Sequence, residues 1–379
     1  MLRFLTSGES HGRGLLVVVD GIPAGVPVSE DEINGQLARR QHGYGRGGRM
    51  KIEQDRAEIY AGVMRGTTIG APVGMLIGNK DWRREEPPLT RPRPGHADLA
   101  GALKYHLDDV RRVLERSSAR ETVSRVAAGA VCRCLLSQFG IALASHVVEL
   151  GGIPAVRRPD RAEEIPAIAE QSPLRCVDPE AEMKMIAAID DAKARGDTLG
   201  GIFEVVVTGL PVGLGSYVHW DRRLDGRLAQ AMMSINAIKG VEIGEGFKEA
   251  RLPGSDAHDE IFYDAARGFY RQTNQSGGTE GGMTTGEPLR VRVAMKPLST
   301  LMRPLASVDI VTKERVEAAV VRSDVTAVPA AGVIGEAMAA FVLADAMLEK
   351  FGGDSLDQMR VAYDAHQRWV RTGPTGPAG

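Results

Sequence analysis

The stretch Arg91–Arg125 reads RPRPGHADLAGALKYHLDDVRRVLERSSARETVSR. It opens on proline-spaced arginines and a histidine after glycine: Arg91, Arg93, Gly95 and His96. It closes on Arg116-Ser117-Ser118-Ala119-Arg120-Glu121-Thr122. The second half has the pattern of a helix start. Ser118 is a cap, and Glu121 three residues on completes a capping box. Val123, Val126, Ala127, Ala130 and Val131 recur at helical spacing, Leu135 and Phe139 extend the run, and Gly140 stops it. A helix start carries unsatisfied N–H groups and partial positive charge, so it suits an anion. Two hydroxyls and two guanidiniums crowd this one, and a guanidinium meets phosphate as a fork. A capping box alone fits a solvated surface helix. The density of donors turns the reading toward an anion site.

The rest of the chain sets the scale. Its 379 residues are 43% hydrophobic and 25% charged, ordinary for a globular protein and enough for a large core. The net charge of −2 gives no global field to recruit nucleic acid or an anionic membrane. Positive charge is concentrated locally instead. Cys132, Cys134 and Cys176 form no CxxC, which fits a reducing, cytoplasmic setting. The opening MLRFLTSGESHG lacks the apolar core of a signal peptide. The late apolar run Val333–Leu348 is broken by Glu336 and Asp345, and reads as too short and too charged to cross a membrane.

In chain order, Leu2–Thr6 and Leu15–Asp20 read as strands around the loop Ser7–Gly12. That hairpin would display His11, with Glu9 and Ser10 beside it to orient the ring; a lone histidine is also often structural. Ser29 and Glu32 form another capping box, starting a helix to about Arg40. Arg39–Arg49 follows, RRQHGYGRGGR, with four glycines that let backbone approach a ligand. It satisfies G-x-G-x-x-G, but it follows a helix and does not open one, so it predicts no dinucleotide fold. It reads as a mobile loop folding over a multiply charged anion, as an RGG-like nucleic-acid segment, or as a plain solvated loop.

Glu58–Met64, Val73–Ile77, Ile141–Leu150, Ile202–Val207 and Leu289–Met295 read as strands, with Ile202–Val207 central. Pro179–Arg195 reads as a helix with Met183, Ile186, Ala187 and Ile189 on its face. Leu224–Ile235 reads as another. Val311–Val321 fits helix or strand, and residues 248–273 look irregular. Pro329 starts the last long helix, ended by Gly352-Gly353. The Gly/Pro-rich tail 371–379 is expected to be disordered. With no repeat and no linker, residues 1–379 read as one large α+β domain.

Taken together, the chain resembles the chorismate synthase family. The resemblance rests on an ordered set: GESHG (8–12), RRQHGYGRGGR (39–49), RPGHAD (93–98), ERSSARET (115–122), SINAIKGVEIGEGF (234–247), GGTEGG (277–282), KPLST (296–300) and RSDVTAVPA (322–330). It implies a β-α-β sandwich of antiparallel sheets with helices between, assembled as a homotetramer. It implies a carbon–oxygen lyase of the shikimate pathway, in aromatic amino-acid biosynthesis. The reaction is anti-1,4 elimination of phosphate from 5-enolpyruvylshikimate 3-phosphate to chorismate, with reduced FMN and no net redox change. NADPH is a possible reductant of that flavin. Arg116, Ser117, Ser118, Asn236, Ala237, Gly281, Lys296, Pro297, Leu298, Ser299, Thr300 and Arg322 match the family's FMN contacts. Arg49, Arg93 and Arg120 would hold substrate, and Arg40 and Arg46 substrate or NADP. His96 would protonate the departing phosphate and His11 the reduced flavin; both roles need a group that titrates near neutrality. Ser10 and Asp324 would assist removal of the C6 proton. The flavin carries the difficult step, and the protein positions. The Arg39–Arg49 run is the expected lid.

Two other readings compete. An RNA-binding protein would use Arg39–Arg49 and show salt-sensitive polyanion binding. A metal-dependent phosphoesterase would use Glu9, His11, His42 and His96, whose spacing matches no common metal pattern. No metal is expected.

Overall fold

The computed structural model describes residues 1–47, 54–82, 87–157, 159, 162–321 and 324–373. Period-two alternation builds the first sheet. β1 (Arg3–Gly8) and β2 (Gly14–Asp20) form an antiparallel hairpin that pairs Leu5 with Val18 and Ser7 with Leu16. Leu15, Val17 and Val19 are buried while Leu16 and Val18 are exposed, so one face is dry and one wet. β3 (Ala57–Ala61) and β4 (Val73–Gly78) complete four strands in the order β1-β2-β4-β3.

The second sheet has five antiparallel strands. They are β5 (Ala142–Leu150), β6 (Ile153–Pro154), β7 (Gly201–Thr208), β8 (Ile238–Ile243) and β9 (Leu289–Met295). Their order is β8-β9-β7-β5-β6, so the β-branched run in β7 is central as expected.

The main helices are α1 (Glu30–Gln41), α2 (Asp98–Tyr105), α3 (Arg111–Ser117), α4 (Thr122–Ser137), α5 (Pro179–Ala194), α6 (Leu224–Met233), α7 (Val328–Phe351) and α8 (Leu356–Thr372). Chiefly α1, α4, α6 and α7 fill the space between the sheets. α4 packs under β2, α7 lies across β5 and β7, and α4 and α7 pack on each other. The result is an α+β sandwich of two antiparallel sheets with helices between. One continuous core runs from Leu2 to Met359.

The α4–α7 contact depends on a missing side chain. A Cβ at Gly129 would lie 2.4 Å from the Cβ of Ala337 and 2.5 Å from its Cα. Backbone, not a flexible tip, would have to move. Gly129→Ala gains about 1 kcal/mol of helix propensity, yet the clash costs about 1–3 kcal/mol. A net loss is expected, read as a lower urea midpoint; a higher midpoint would refute the close packing.

α7 departs from the stripe read in its sequence. From Val328 to Ala340 every residue is buried. A helix apolar all round belongs in a core or a membrane. Its 24 residues are long and apolar enough to span a bilayer, which corrects the expectation that the run is too short. What places it in the core is that 83% of its most apolar window is buried there. Two of its carboxylates, Glu336 and Asp345, are its pins. Glu336 accepts from Arg39, Arg133, Arg175 and Ser145. Asp345 accepts from the Leu2 amide at 2.8 Å and from Arg227 at 2.6 Å.

Other expectations need correction. Ser118 caps only a 3-10 turn, Ala119–Glu121, accepting from the Arg120 amide, and α4 proper starts at Thr122. Glu121 does not close a box; it accepts from Thr6 Oγ1 and Arg125 Nε. Ser29 accepts from the Glu32 amide, but Glu32 receives the Cys134 thiol. In α5 the buried face is Ala181, Met185, Ile189 and Ala192, and Met183 is exposed. Residues 248–273 contain the hairpin Ile261–Asp264/Gly268–Arg271. Val311–Val321 resolves to strand, Arg315–Glu317 paired with Ala306–Val308. α8 takes Arg371 and Thr372 into a helix, so these two leave the expected disordered tail. Residues 374–379 lie outside the described residues.

Candidate active site

The β1–β2 turn carries His11, and its orientation comes from far along the chain. The His11 amide donates to Glu115 Oε2 at 2.7 Å, and His11 Nδ1 lies 2.8 Å from Glu115 Oε1. The Ser10 amide donates to the Glu115 carbonyl at 2.9 Å. The expectation that Glu9 and Ser10 orient the ring is therefore corrected: the carboxylate is that of Glu115, on α3. Burial alone would raise the Glu115 carboxyl, but hydrogen bonds from the His11 side chain and amide hold it below its ordinary value.

The same turn is clamped from beneath. Asn79 Nδ2 donates to the carbonyls of Glu9 (3.1 Å) and Gly12 (2.7 Å). Asn79 Oδ1 accepts from Arg120 Nε (2.9 Å) and Nη2 (2.7 Å). Arg120 also pairs with the buried Asp55, which lies 3.6 Å from Arg40 Nη1. Arg40 donates to Thr122 Oγ1 and to the Ala119 carbonyl, each at 3.0 Å. Arg46 pairs with Asp324 at 3.0 Å, and the Gly47 amide donates to Asp324 at 2.6 Å. Burial pushes the Arg40 guanidinium down to about 10; Arg46 and Arg120 push the same way, while Asp55 and Asp324 oppose them. These five groups thus share one electrostatic neighbourhood.

A second cluster surrounds His96. Its Nδ1 lies 2.5 Å from Asp98 Oδ1. Arg93 grips the same carboxylate through Nε (2.8 Å) and Nη2 (3.0 Å), and its Nη1 donates to Thr300 Oγ1 at 3.0 Å. Burial would raise the Asp98 carboxyl, yet hydrogen bonds from His96 and Arg93 hold it far below the usual range.

A chain of contacts joins the two clusters. Arg116 donates to the carbonyls of Thr6 and Gly8 at the end of β1. The Ser117 carbonyl accepts from Asn236 Nδ2 at 3.0 Å, and the Ala237 carbonyl from the Lys296 amide at 3.0 Å. Lys296 Nζ donates to the Gly95 carbonyl, next to His96. The Lys296–Thr300 run thereby lies beside the His96 loop, with Ser299 against Gly95 and the Leu298 carbonyl accepting from Thr198. Ala237 adopts φ +66°, an unusual conformation for alanine that turns the chain between Asn236 and Ile238.

Gly281 falls elsewhere. It lines a cavity of about 480 Å³ with Asp225, His258 and Asp259. Among the described residues no hydrogen bond or ion pair links that loop to Ser117, Asn236 or Lys296; Asp259 instead accepts from the Gln275 and Ser276 amides. Gln275 donates to the Asp256 carbonyl. Arg49 and Arg322 lie outside the described residues, as does part of the expected lid. The rest of that run is tied down: the Tyr44 amide donates to the Pro173 carbonyl, and the Gly45 carbonyl accepts from the Val325 amide.

Sequence reading missed Asp98, Glu115, Asn79 and Asp55. Asp98 stood inside a quoted motif, two residues from His96, but no spacing rule pairs them. Glu115, Asn79 and Asp55 meet their partners only through the tertiary fold.

Buried guanidiniums beneath rings that carry protons define a class, an acid–base site for a small polyanion. A nucleic-acid surface would turn those cations outward, whereas Arg39, Arg40 and Arg46 pair inward with Glu336, Asp55 and Asp324. The phosphoesterase reading gains no support either, since His11 and His96 face separate carboxylates, Glu115 and Asp98. Comparison with known proteins agrees. The profile described as chorismate synthase matches residues 2–348. The chorismate synthase of Moorella thermoacetica is 56% identical over 383 residues, covering 98% of this chain and all of that protein. That of Geobacter metallireducens is 55% identical over 392 residues, with the same coverage. A crystal structure of chorismate synthase superposes with a TM-score of 0.83 at 45% identity, covering 98% of this chain and 99% of the other. The chain belongs to the chorismate synthase family.

Proposed function

We propose that this chain converts 5-enolpyruvylshikimate 3-phosphate to chorismate by anti-1,4 elimination, with reduced FMN bound. A ring C–H bond and the C–O bond to phosphate break, a double bond forms, and no net oxidation occurs. The observation that carries the reading is the buried cluster of Arg120, Asp55 and Arg40, tied through Asn79 to the His11 turn, with the Arg46–Asp324 pair as a further cation. Such a cradle suits a substrate bearing phosphate and carboxylates.

The bridge fits a polar cofactor. Ser117 Oγ and Asn236 Oδ1 are buried with no hydrogen-bond partner among the described residues, and such atoms are rare without a ligand or water. Ser117, Asn236, Ala237 and the Lys296–Thr300 run would hold FMN, with Arg116, Ser118, Gly281 and Arg322 as further proposed contacts. The reduced flavin supplies electron density to the eliminating ring. His96 gives a proton to the departing phosphate oxygen. His11, held by Glu115, serves the flavin side. Ser10 and Asp324 assist loss of the ring proton. Arg93 and Arg49 complete the substrate set, while Arg40 and Arg46 serve substrate or an NADPH reductant. Arg120 acts in part through Asn79, by fixing the turn that presents His11.

We also read residues 1–379 as one domain of a cytoplasmic homotetramer, with no nucleic-acid or membrane partner. Free, buried thiols support a reducing compartment; burial raises Cys134 to about 12 and Cys176 to about 11. The test is anaerobic. Purified protein, substrate and reduced FMN should release phosphate, and a matched sample with oxidised FMN should not. Equal release in both, or none in either, would refute the proposal.

A further inference from the structure

Asp98 has no solvent-exposed surface, and it is fully engaged. It accepts from the Arg93 amide (3.1 Å), Arg93 Nε (2.8 Å) and Arg93 Nη2 (3.0 Å), and faces His96 Nδ1 at 2.5 Å. An ionised carboxylate can only accept, so the proton in the shortest of these contacts belongs to Nδ1. That hydrogen is assigned from the network. With Nδ1–H held, the neutral ring has its lone pair on Nε2, and Nε2 is where a second proton is gained and given up.

We propose that Asp98 is the positioning residue for His96, fixing the Nδ1–H tautomer so that Nε2 delivers the proton to the departing phosphate. This rests on the reading of His96 as the acid. The balance is simple. As the C–O bond breaks, the Nε2 proton moves to a phosphate oxygen, phosphate leaves protonated, and the ring returns to neutral with Nδ1–H still on Asp98. Solvent then restores the Nε2 proton. Arg93 does not substitute for Asp98. Its Nη2 lies 3.0 Å from Nδ1 and 3.3 Å from Nε2, a cation against the ring that cannot accept the Nδ1 proton. His96 also lines a cavity of about 610 Å³, between the Pro92–His96 loop and the Ala306–Val308 strand, so the ring stands at an open space.

The test is a double-mutant cycle on the full-length protein in the anaerobic assay. Asp98→Asn should lower kcat about a hundredfold, with KM within about threefold of wild type. His96→Ala should lose as much, and the double variant should be no slower than His96→Ala alone. Additive losses would route the Asp98 effect through Arg93 and overturn the proposal, as would near-normal kcat in Asp98→Asn. Near-normal turnover in His96→Ala would instead remove the acid role itself, and the proposal with it. A second measurement does not depend on the variant folding. In 15N-histidine-labelled wild-type protein, with the His96 signals assigned by their loss in His96→Ala, the neutral ring should show Nδ1–H. An Nε2–H tautomer there would overturn the proposal.

Discussion

Glu336→Ala should cost the fold roughly 3–5 kcal/mol, the loss expected when one partner of a buried charge network is removed. The carboxylate sits inside the core on α7 and joins three guanidiniums from separate elements. Arg39 comes from α1, Arg133 from α4 and Arg175 from the segment before α5. Removing it leaves three mostly buried cations, of which Arg39 and Arg175 keep only the partly exposed Glu170 as counter-ion. Against a total stability of about 5–15 kcal/mol, that is about a fifth at the least. An exposed pair makes the control. Asp191 and Arg195 are both more than half exposed, so Asp191→Ala should change stability by under about 0.5 kcal/mol. Acid provides a second reading. Burial would raise the Glu336 carboxyl, but Arg39 and Arg133 bring it down to about 2, from an ordinary 4.5. A lowered folded-state pKa means the contribution is complete above about pH 4.5 and fades as pH falls toward 2. Urea unfolding at neutral pH and at pH 3 should therefore separate wild type from Glu336→Ala most at neutral pH. Equal midpoints for Glu336→Ala and Asp191→Ala would show that the network does not hold the helices together.

Elements whose local pattern and burial agree were legible. β2 alternates because one sheet face is dry, β9 (Leu289–Met295) has the bounds read from sequence, and Pro329 opens α7. Elements held mainly by partners were not. α2 exposes Leu99 and Leu103, so its apolar residues mark no buried face. α3 is seven residues with no side-chain cap. α8 did carry a signal that went unread: Ser355 and Gln358 form a complete capping box. Glu336 and Asp345 looked like interruptions of an apolar run because their arginines lie far away in sequence. The site followed the same rule. His11, His96 and the arginines stand in dense local motifs. Their partners Glu115, Asn79 and Asp55 are ordinary residues until the turn, α3, the segment before β3 and the loop after β4 meet.

His96→Ala should lower turnover by about two orders of magnitude or more, the usual range for a lost general acid, and leave stability almost unchanged. The contrast with Glu336 lies in what each deletion leaves behind. Without the imidazole, Asp98 still has the Arg93 amide, Nε and Nη2, so no buried charge is orphaned. Arg93 keeps Thr300, and the loop keeps Lys296 on the Gly95 carbonyl. The cradle formed by Arg40, Arg46 and Arg120 belongs to the other cluster and should hold its anion as before. Binding of substrate and reduced FMN, measured by anaerobic titration, should therefore stay within about threefold of wild type while kcat falls. The urea midpoint should move by less than 1 kcal/mol equivalent, since the ring is partly exposed and unneeded for packing. A variant that loses affinity in step with turnover would make His96 a binding group. One that unfolds early would make it a structural partner of Asp98. Only a fall in kcat with affinity and stability intact assigns the ring to proton transfer, because that loss alone appears when phosphate departs.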